Sequence, residues 1–423
     1  MKKKTISPWA WVPSLYFGQG IPFVVVATTF SLIMYKNMGI SNADAALYTS
    51  WLYLPWVLKP FWSPFVDLVK TKRWWILLMQ FVIGIALAGV AFVIPLPYFL
   101  QSTLAILWLI AFSSATHDIA ADGFYMLALD THRQSLFVGI RSTFYRIAMI
   151  VGQGALVMLA GYLEKTMPSI AVAWSLTFYG IAAFFFLLAI YHWVVLPKPS
   201  ADIERKDKQG VKDFFATFGT FFTKKGIWLS LLFILLYRLG EAQLVKIASP
   251  FLLDPRTIGG LGLSTSEVGF IYGTIGVIAL TLGGILGGIV AARDGLKHWL
   301  WIMVIAMNLP NLVYVYLAYA QPESFYVIAS GVAIEQFGYG FGFTAFMLYL
   351  IYVAQGPFQT AHYAIFTGFM ALGMMIPGMF AGILQEYIGY LPFFIWVCIC
   401  TIPGFLLIPF LKINAHFGKK VNQ

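Results

Sequence analysis

Residues 39–44 of the chain read Gly39-Ile-Ser-Asn-Ala-Asp44, and residues 262–267 repeat the pattern as Gly262-Leu-Ser-Thr-Ser-Glu267. Two more motifs recur in the same order: Gly18-Gln19 returns as Gly240-Glu241, and Gly161-Tyr-Leu-Glu164 returns as Gly382-Ile-Leu-Gln385. The offsets are 223, 222 and 221 residues, so the three matches are collinear. This collinearity predicts that the second half of the chain repeats the first.

The composition excludes a water-soluble protein. Hydrophobic residues make up 60% of the 423 residues and charged residues only 10%. Because a soluble domain carries about 25% charged residues, this chain cannot cover a water-facing surface, and lipid must be its solvent. Cys398 and Cys400 lie together in the last apolar segment, where their spacing predicts neither a disulfide framework nor a metal site.

A transmembrane helix needs about 20 mostly apolar residues, and twelve segments meet that requirement. They are residues 11–35, 43–66, 74–94, 102–129, 135–162, 171–196, 226–253, 265–292, 298–320, 325–353, 358–385 and 390–411. The basic residues before the first segment resemble a signal peptide, but the segment is long enough to span and we expect it to be retained. The sequence thus predicts an all-α membrane protein with two pseudo-symmetric six-helix halves, 1–196 and 226–423, joined by a linker at 197–225.

The basic residues predict the orientation of these helices. With the N-terminus in the cytoplasm, most Lys and Arg side chains outside the spans fall on the cytoplasmic side, and only Lys36, Lys165 and Arg256 fall on the other. The positive-inside rule therefore places both termini in the cytoplasm. The same rule accounts for the net charge of +10 without a nucleic-acid partner.

The linker has two parts. Residues 198–210 are highly charged, whereas residues 211–222 carry Val211 and all five of their phenylalanines on one helical stripe. We expect the second part to form an amphipathic helix along the inner membrane surface that tethers the two halves. The alternative is a linker that is disordered throughout.

Acidic residues within the spans are candidates for proton coupling, since a charge at bilayer depth is costly and is retained for a function. Asp118 and Asp122 are four residues apart and share one helix face. If they approach each other, repulsion and burial would hold a proton on one of them at physiological pH. Glu241 and Glu335 are isolated acids near mid-depth and are further candidates.

Basic and amide side chains within the spans are candidates for substrate binding. These candidates are Gln19, Arg141, Arg146, Arg238, Lys246 and Gln336. Arg238 lies one turn before Glu241 and is placed to neutralise it in part. The alternative for all these charges, acidic and basic, is a structural network of ion pairs that orients the helices.

Two loops predict a gate. Residues 63–73 after the second span, and residues 288–295 after the eighth, are degenerate forms of one Gly-x-x-x-Asp-Arg-like pattern. We expect Asp67, and with it Asp294, to latch the cytoplasmic end by meeting a helix N-terminus or a basic side chain. Lys59 in the inner half of the second span is a third gating candidate, and ordinary loop charge is the alternative.

Several motifs resemble the AmpG muropeptide permease family of the major facilitator superfamily. The resemblance runs over nearly the whole chain and is carried by residues 17–22, 59–67, 114–122, 237–241, 335–342 and 358–361. It implies the major facilitator fold with alternating access, and proton-driven import across the bacterial inner membrane of GlcNAc-anhydroMurNAc, with or without its stem peptide, for cell-wall recycling. The chain departs from the family where Asp122 is followed by Gly-Phe, where Gln336 replaces Asn, and where Leu68 and Lys70 replace arginines.

The expected partners are a small muropeptide or sugar, protons and membrane lipid, with no cofactor beyond the proton gradient and a monomeric state. No nucleophile and base with defensible spacing points to an enzyme. The alternatives are a major facilitator carrier for another sugar or an acyl nucleotide, a transport-inactive membrane sensor, and an integral membrane acyltransferase.

Overall fold

The computed structural model describes residues 6–27, 29–129, 131–200, 202, 218–355, 359–415 and 417. Within these ranges the regular structure is helical, and ten helices are long and apolar enough to cross a membrane. The two remaining predicted spans, 43–66 and 226–253, are present as pairs of shorter helices. The described chain therefore contains the twelve spans that the sequence predicts.

We number the spanning helices α1 to α12. In the first half they are α1 (Pro8–Asn37, with residue 28 outside the description), α2 (Asn42–Trp51 and Leu54–Leu68), α3 (Lys72–Val93), α4 (Phe99–Ala128), α5 (Thr131–Ile150, Val151–Ala155 and Leu156–Thr166) and α6 (Ile170–Val195). In the second half they are α7 (Ile227–Tyr237 and Leu239–Leu253), α8 (Thr265–Asp294), α9 (Leu296–Ala320), α10 (Phe325–Ala354), α11 (Gln359–Ile388) and α12 (Tyr390–Phe410).

Helices α2 and α7 are interrupted, although the sequence predicts one continuous segment for each. The second part of α2 begins at Leu54 with Pro55 in its first turn, a position that tolerates proline because the missing N–H would have no helical partner there. In α7 the interruption is at Arg238, whose backbone leaves the helical region (φ −105°, ψ 15°). Both interruptions turn polar side chains toward the space between the halves.

The repeated motif at residues 39–44 and 262–267 adopts the same local structure in both halves. Gly39 and Gly262 have positive φ values of 84° and 67°, which glycine adopts without strain. Two residues later, Ser41 and Ser264 cap the N-termini of α2 and α8 by accepting a hydrogen bond from the backbone N–H three residues on. The sequence repeat is therefore a repeated loop and helix start.

The outer surface of the bundle is apolar. Large side chains such as Phe92, Leu187 and Phe410 are about two-thirds exposed, at 65%, 67% and 65%. A soluble protein does not expose so many large apolar groups. The surface matches a lipid environment, and the chain is a multi-pass membrane protein.

The two ends of the bundle are distinguished by their contacts, and we call them the linker end and the far end. At the linker end, Asp202 accepts hydrogen bonds from the backbone N–H groups of Lys72 and Arg73 at the start of α3. The backbone N–H of Leu296 at the start of α9 donates to Phe417 at that same end. The far end carries the 39–44 and 262–267 loops, and with them Lys36 and Arg256, two of the basic residues predicted outside the cytoplasm.

The described end of the linker contacts both halves. Residues 218–222 are helical. Phe218 stacks on Phe61 of α2 at 5.2 Å between ring centroids, and Phe221 packs against Phe366 of α11 at 4.7 Å. Residues 203–217, which include most of the predicted amphipathic helix, lie outside the described residues.

The halves approach each other closely where α5 crosses α8. Each helix widens there into a π-helical segment, Val151–Ala155 in α5 and Gly269–Gly276 in α8. A Cβ atom on Gly273 would lie 2.1 Å from the backbone of Gln153, so only glycine allows this separation. The crossing therefore depends on glycine rather than on side-chain interdigitation.

We expect Gly273→Val to destabilise the protein by about 1–3 kcal/mol, because the added side chain forces the two backbones apart. The measurement is the midpoint of thermal unfolding in detergent. Gly288→Val is the matched control on the same helix, since a Cβ at Gly288 meets nothing within 4 Å. Equal midpoints for the two variants would contradict the close crossing.

Candidate functional site: a charged cavity between the halves

A cavity of about 410 Å³ lies between the two halves. Its walls come from α1, α2, α4 and α5 of the first half and from α7, α8, α10 and α11 of the second. Both interrupted helices contribute, through residues such as Tyr53 and Arg238. The volume falls in the range of small-molecule sites, about 300–1,000 Å³.

Aromatic side chains form much of the cavity wall. They are Phe23, Tyr53, Trp56, Tyr145, Tyr272, Tyr339 and Phe343. Other aromatic residues face outward; Trp193, for example, is 68% exposed. Aromatic side chains therefore occur both in the cavity wall and on the outer surface.

Asp118 faces the cavity from α4. Its carboxylate accepts a hydrogen bond of 3.2 Å from the indole N–H of Trp56 and lies 3.7 Å from the ammonium of Lys59. Gln19 of α1 lies near this carboxylate. Residues Trp56 and Lys59 of α2 and Asp118 of α4 thus meet in space.

Asp122 has separate partners and does not line the cavity. It accepts hydrogen bonds from the Tyr16 hydroxyl at 3.1 Å and from the Arg141 guanidinium at 2.9 Å. The guanidinium is enclosed by two rings, with Tyr16 at 4.4 Å and Tyr125 at 5.1 Å. Asp118 and Asp122 lie on one helix face, but each carboxylate has its own cation, Lys59 for Asp118 and Arg141 for Asp122. The two acids therefore do not form a single carboxylate pair.

Arg238 and Glu241 form a bidentate ion pair inside the cavity wall. The two hydrogen bonds measure 2.7 Å and 3.0 Å, and a third from Arg238 reaches the Tyr339 hydroxyl at 2.8 Å. The spacing of one turn predicted this pair. The interruption of α7 at Arg238 lets the guanidinium turn back onto the first turn of the following helix, where an acid is also favoured by the helix dipole.

Glu335 is the cavity acid that lacks a cation. It is 2% exposed, and its one hydrogen bond in the described part of the chain is 2.9 Å long and comes from Gln336. The Gln336 amide also lies 3.5 Å from the Tyr272 hydroxyl. An ionised carboxylate in such surroundings is costly unless it is paired.

Two of the remaining basic candidates differ in environment. Lys246 is buried outside the cavity lining, donates to Thr49 at 3.0 Å and lies 5.1 Å from the Tyr53 ring centre. Arg146 of α5 lines the cavity and extends toward Gly284 of α8, where both terminal nitrogens would lie 3.6 Å from an added Cβ. Their assignment to substrate binding stays a prediction.

The three gating candidates fall in different places. Lys59 lies in the cavity beside Asp118, and Asp294 accepts bonds from Trp299 and Arg293 of its own half, at 2.8 Å and 2.9 Å. Asp67 lies on α2, but the structure does not describe its side chain. The latch at the linker end therefore stays a prediction.

The far end is held closed by a pair of contacts that sequence reasoning missed. Asn42, the first residue of α2, donates to Gln385 of α11 at 2.7 Å. Thr265, the first residue of α8, donates to Glu164 of α5 at 2.8 Å. Each bond joins one repeated motif to the other repeated motif in the opposite half, so the two contacts are related by the internal symmetry. We call them the far-end latches.

Small residues let the latches close. A Cβ atom on Gly382 would lie 2.2 Å from the Asn42 carbonyl oxygen, and one on Gly161 would lie 2.7 Å from the backbone of Ser266. Further polar contacts seal the same end, including an ion pair of 2.8 Å between Lys36 and Asp254. The repeats Gly161 to Glu164 and Gly382 to Gln385 carried the signal for these latches, but sequence alone showed only that they recur.

A second missed feature is a buried polar chain within the first half. Gln80 of α3 links His117 of α4 to His192 of α6, at 3.0 Å on each side, and His192 contacts Ser14 of α1 at 2.9 Å. With both histidines neutral, every donor in this set can find an acceptor in its neighbour. These hydrogen bonds join four helices, and His117 takes part in their packing.

These features define a class of protein: a polytopic membrane carrier with two similar six-helix halves and a polar cavity at their interface. A family model described as Major Facilitator Superfamily matches residues 14–355. The chain belongs to this superfamily, whose members are transporters.

Relatives extend the match over nearly the whole chain. The chain is 29% identical, over 94% of its length and 94% of the relative, to putative transporter AmpG 4 of Rickettsia conorii. It is 27% identical to the anhydromuropeptide permease of Escherichia coli K12, over 95% of the chain and 81% of that protein. The resemblance to AmpG-like permeases is thereby confirmed.

Solved structures show the same fold. The nucleoside transporter NupG matches with a TM-score of 0.74 at 17% identity, over 95% of this chain and 98% of that chain. A D-xylose-proton symporter matches with a TM-score of 0.72 at 11% identity, over 97% and 98%. At these identities the likeness concerns the fold alone.

We expect Glu241→Gln to destabilise the protein by about 3–5 kcal/mol, because it leaves the buried Arg238 guanidinium without its counter-ion. The double variant Arg238→Gln/Glu241→Gln removes both charges and recovers most of this loss. Thermal unfolding of the three proteins in detergent measures the difference. A double variant as unstable as the single one would show that the pair does not act as an ion pair.

We expect Gly382→Leu to hold the far end open, since overpacking of about 1–3 kcal/mol shifts the ratio of closed to open states roughly 5- to 150-fold. Spin labels at the exposed positions Tyr162 and Tyr387, after replacement of both native cysteines, report the separation of the halves. The mean distance increases in Gly382→Leu. It does not change in Gly180→Leu, where an added Cβ meets nothing within 4 Å, and an unchanged distance in both would contradict the latch.

Proposed function

We propose that the protein is a proton-coupled importer of peptidoglycan fragments, GlcNAc-anhydroMurNAc with or without its stem peptide, that serves cell-wall recycling. It acts in the bacterial cytoplasmic membrane with both termini in the cytoplasm. Support comes from the relatives matched over nearly the full chain and from a cavity rich in aromatic rings, which suit the faces of sugar rings. The driving force is the proton gradient, with no other cofactor.

The observation that carries proton coupling is the isolation of Glu335. Its carboxyl group lines the cavity and is 2% exposed, and no basic nitrogen lies within 4 Å in the described part of the chain. A buried carboxyl group without a cation avoids the desolvation cost by taking up a proton. Asp118, with a cation at 3.7 Å, is the second candidate, and Asp122 and Glu241 are held more tightly by arginines.

Alternating access follows from the placement of these groups. With the far-end latches closed, the cavity exchanges its contents at the linker end. Opening the latches and closing the linker end exposes the same cavity to the opposite side, and protonation of Glu335 lets the loaded cavity make that change without a bare buried charge. The glycine crossing of α5 and α8 allows the halves to turn against each other.

We expect Glu335→Gln to abolish accumulation of labelled GlcNAc-anhydroMurNAc in liposomes under an inward proton gradient. Exchange of labelled for unlabelled substrate without a gradient continues, because glutamine resembles the protonated acid. Glu323→Gln, an exposed glutamate of the same half, is the control and retains accumulation.

The outcomes separate the parts of the proposal. Gradient-driven accumulation in both Glu335→Gln and Asp118→Asn would contradict proton coupling by these acids. An absence of uptake of any muropeptide by the unaltered protein, together with competition by another sugar or an acyl nucleotide, would favour the alternative carrier.

A further inference from the structure

The charged side chains of the cavity are not all paired with one another. Six charged side chains line it: Lys59, Asp118, Arg146, Arg238, Glu241 and Glu335. Lys59 faces Asp118, and Arg238 is bound to Glu241. Arg146 and Glu335 remain, and neither has a partner of opposite charge among the described residues.

Arg146 is placed to hold a ligand. It comes from α5 in the first half and reaches the α8 wall of the second half at Gly284. The neighbouring Tyr145 and Met149 of α5 line the cavity with it. No side-chain or backbone oxygen of the described chain accepts a hydrogen bond from its guanidinium, so its donors face the cavity.

We propose that Arg146 binds a carboxylate of the transported molecule, and that the cavity therefore selects acidic saccharides over neutral ones. The inference rests on the proposed function, because it assumes that this cavity is the transport site. A guanidinium offers parallel N–H donors that match the two oxygens of a carboxylate. An arginine without a counter-ion in a site sheltered from water attracts an anion strongly.

The number of charges favours a carboxylate over a phosphate ester. One unpaired guanidinium neutralises one negative charge, whereas a phosphate monoester carries nearly two at neutral pH. The muramic acid unit bears a single carboxylate on its lactyl group when no peptide is attached. Its single negative charge therefore balances the single positive charge of the unpaired Arg146.

The same balance links the ligand to the proton. When Glu335 is protonated and a carboxylate lies on Arg146, each charge in the cavity is paired: Lys59 with Asp118, Arg238 with Glu241, and Arg146 with the ligand. A loaded cavity without net charge can change the side to which it opens at the least electrostatic cost. One proton and one monocarboxylate then move together without net transfer of charge.

The test compares the free disaccharide acid with its lactyl carboxamide, by binding to the purified protein and by uptake into liposomes. The unaltered protein prefers the acid by about 10- to 100-fold, as for a charged hydrogen-bonded pair. Arg146→Gln loses that preference by weakening the acid and not the amide, and Arg146→Lys retains part of it. Lys297→Gln removes an exposed positive charge outside the cavity and behaves as the unaltered protein.

Each outcome decides a separate point. If the unaltered protein binds acid and amide equally, or if Arg146→Gln weakens both equally, the carboxylate assignment is wrong while the proposed function stands. If neither compound is bound or transported, the proposed function fails. Tighter binding of a sugar phosphate than of the sugar acid overturns the choice of carboxylate. Binding of the amide shows that Arg146→Gln is folded.

The charge balance has its own measurement. At a fixed inward pH gradient, uptake of the disaccharide acid is unchanged when a potassium gradient and valinomycin impose a membrane potential. Uptake that follows the potential would overturn the pairing of one proton with one carboxylate.

Discussion

The cost of placing charge in a low-dielectric membrane interior governs the arrangement of this molecule. A lone ion at that depth is unfavourable by several kcal/mol, and most charged groups of the described interior lie in close ion pairs. Arg141 binds Asp122, Arg238 binds Glu241 through two hydrogen bonds, and Lys36 binds Asp254. Where a polar group lacks an ion, a neutral partner replaces it, as in the chain of Gln80 with two histidines. The groups left over are therefore informative. Glu335 and Arg146 both face the cavity, where a proton and a ligand can supply the charge that the protein does not.

The internal repeat has a physical role beyond architecture. Each half supplies one capped helix start, with Asn42 or Thr265 at its first position, and one glycine-containing helix end, with Gln385 or Glu164 on it. The helix start of one half meets the helix end of the other, so the pseudo-two-fold relation produces two matching latches. Glycine at positions 161 and 382 removes the side chains that would separate the backbones. Each latch is one bond within a larger set of polar contacts between the halves at this end, such as those of Asn42 with Tyr390 and of Lys36 with Asp254.

The relation between cavity and latch explains the interrupted helices. Helix α2 carries the latch residue Asn42 at its far end, and α7 ends there beside Asp254, which pairs with Lys36. Both helices carry cavity residues at their interruptions, Tyr53 in α2 and Arg238 in α7. A break in the helical hydrogen-bond ladder aims side chains that a continuous helix would direct elsewhere. It also leaves the two parts of each helix able to change their relative angle. The same helices thus connect the cavity to the contacts that close the far end.

The sequence by itself determined that lipid surrounds the protein, how many segments span it, and that the two halves repeat. These features follow from composition, from the length of apolar runs and from collinear motifs, all of which can be read along the chain. It also predicted the ion pair of Arg238 with Glu241, since one helical turn brings these residues together. Only the tertiary structure decided which charges lack a partner, because Arg141 and Arg146 are five residues apart on one helix and differ solely in what the neighbouring helices place beside them. The far-end latches required it too. The repeated residues were visible in the chain, but their crosswise pairing depends on how two six-helix halves pack, and no local pattern encodes that geometry.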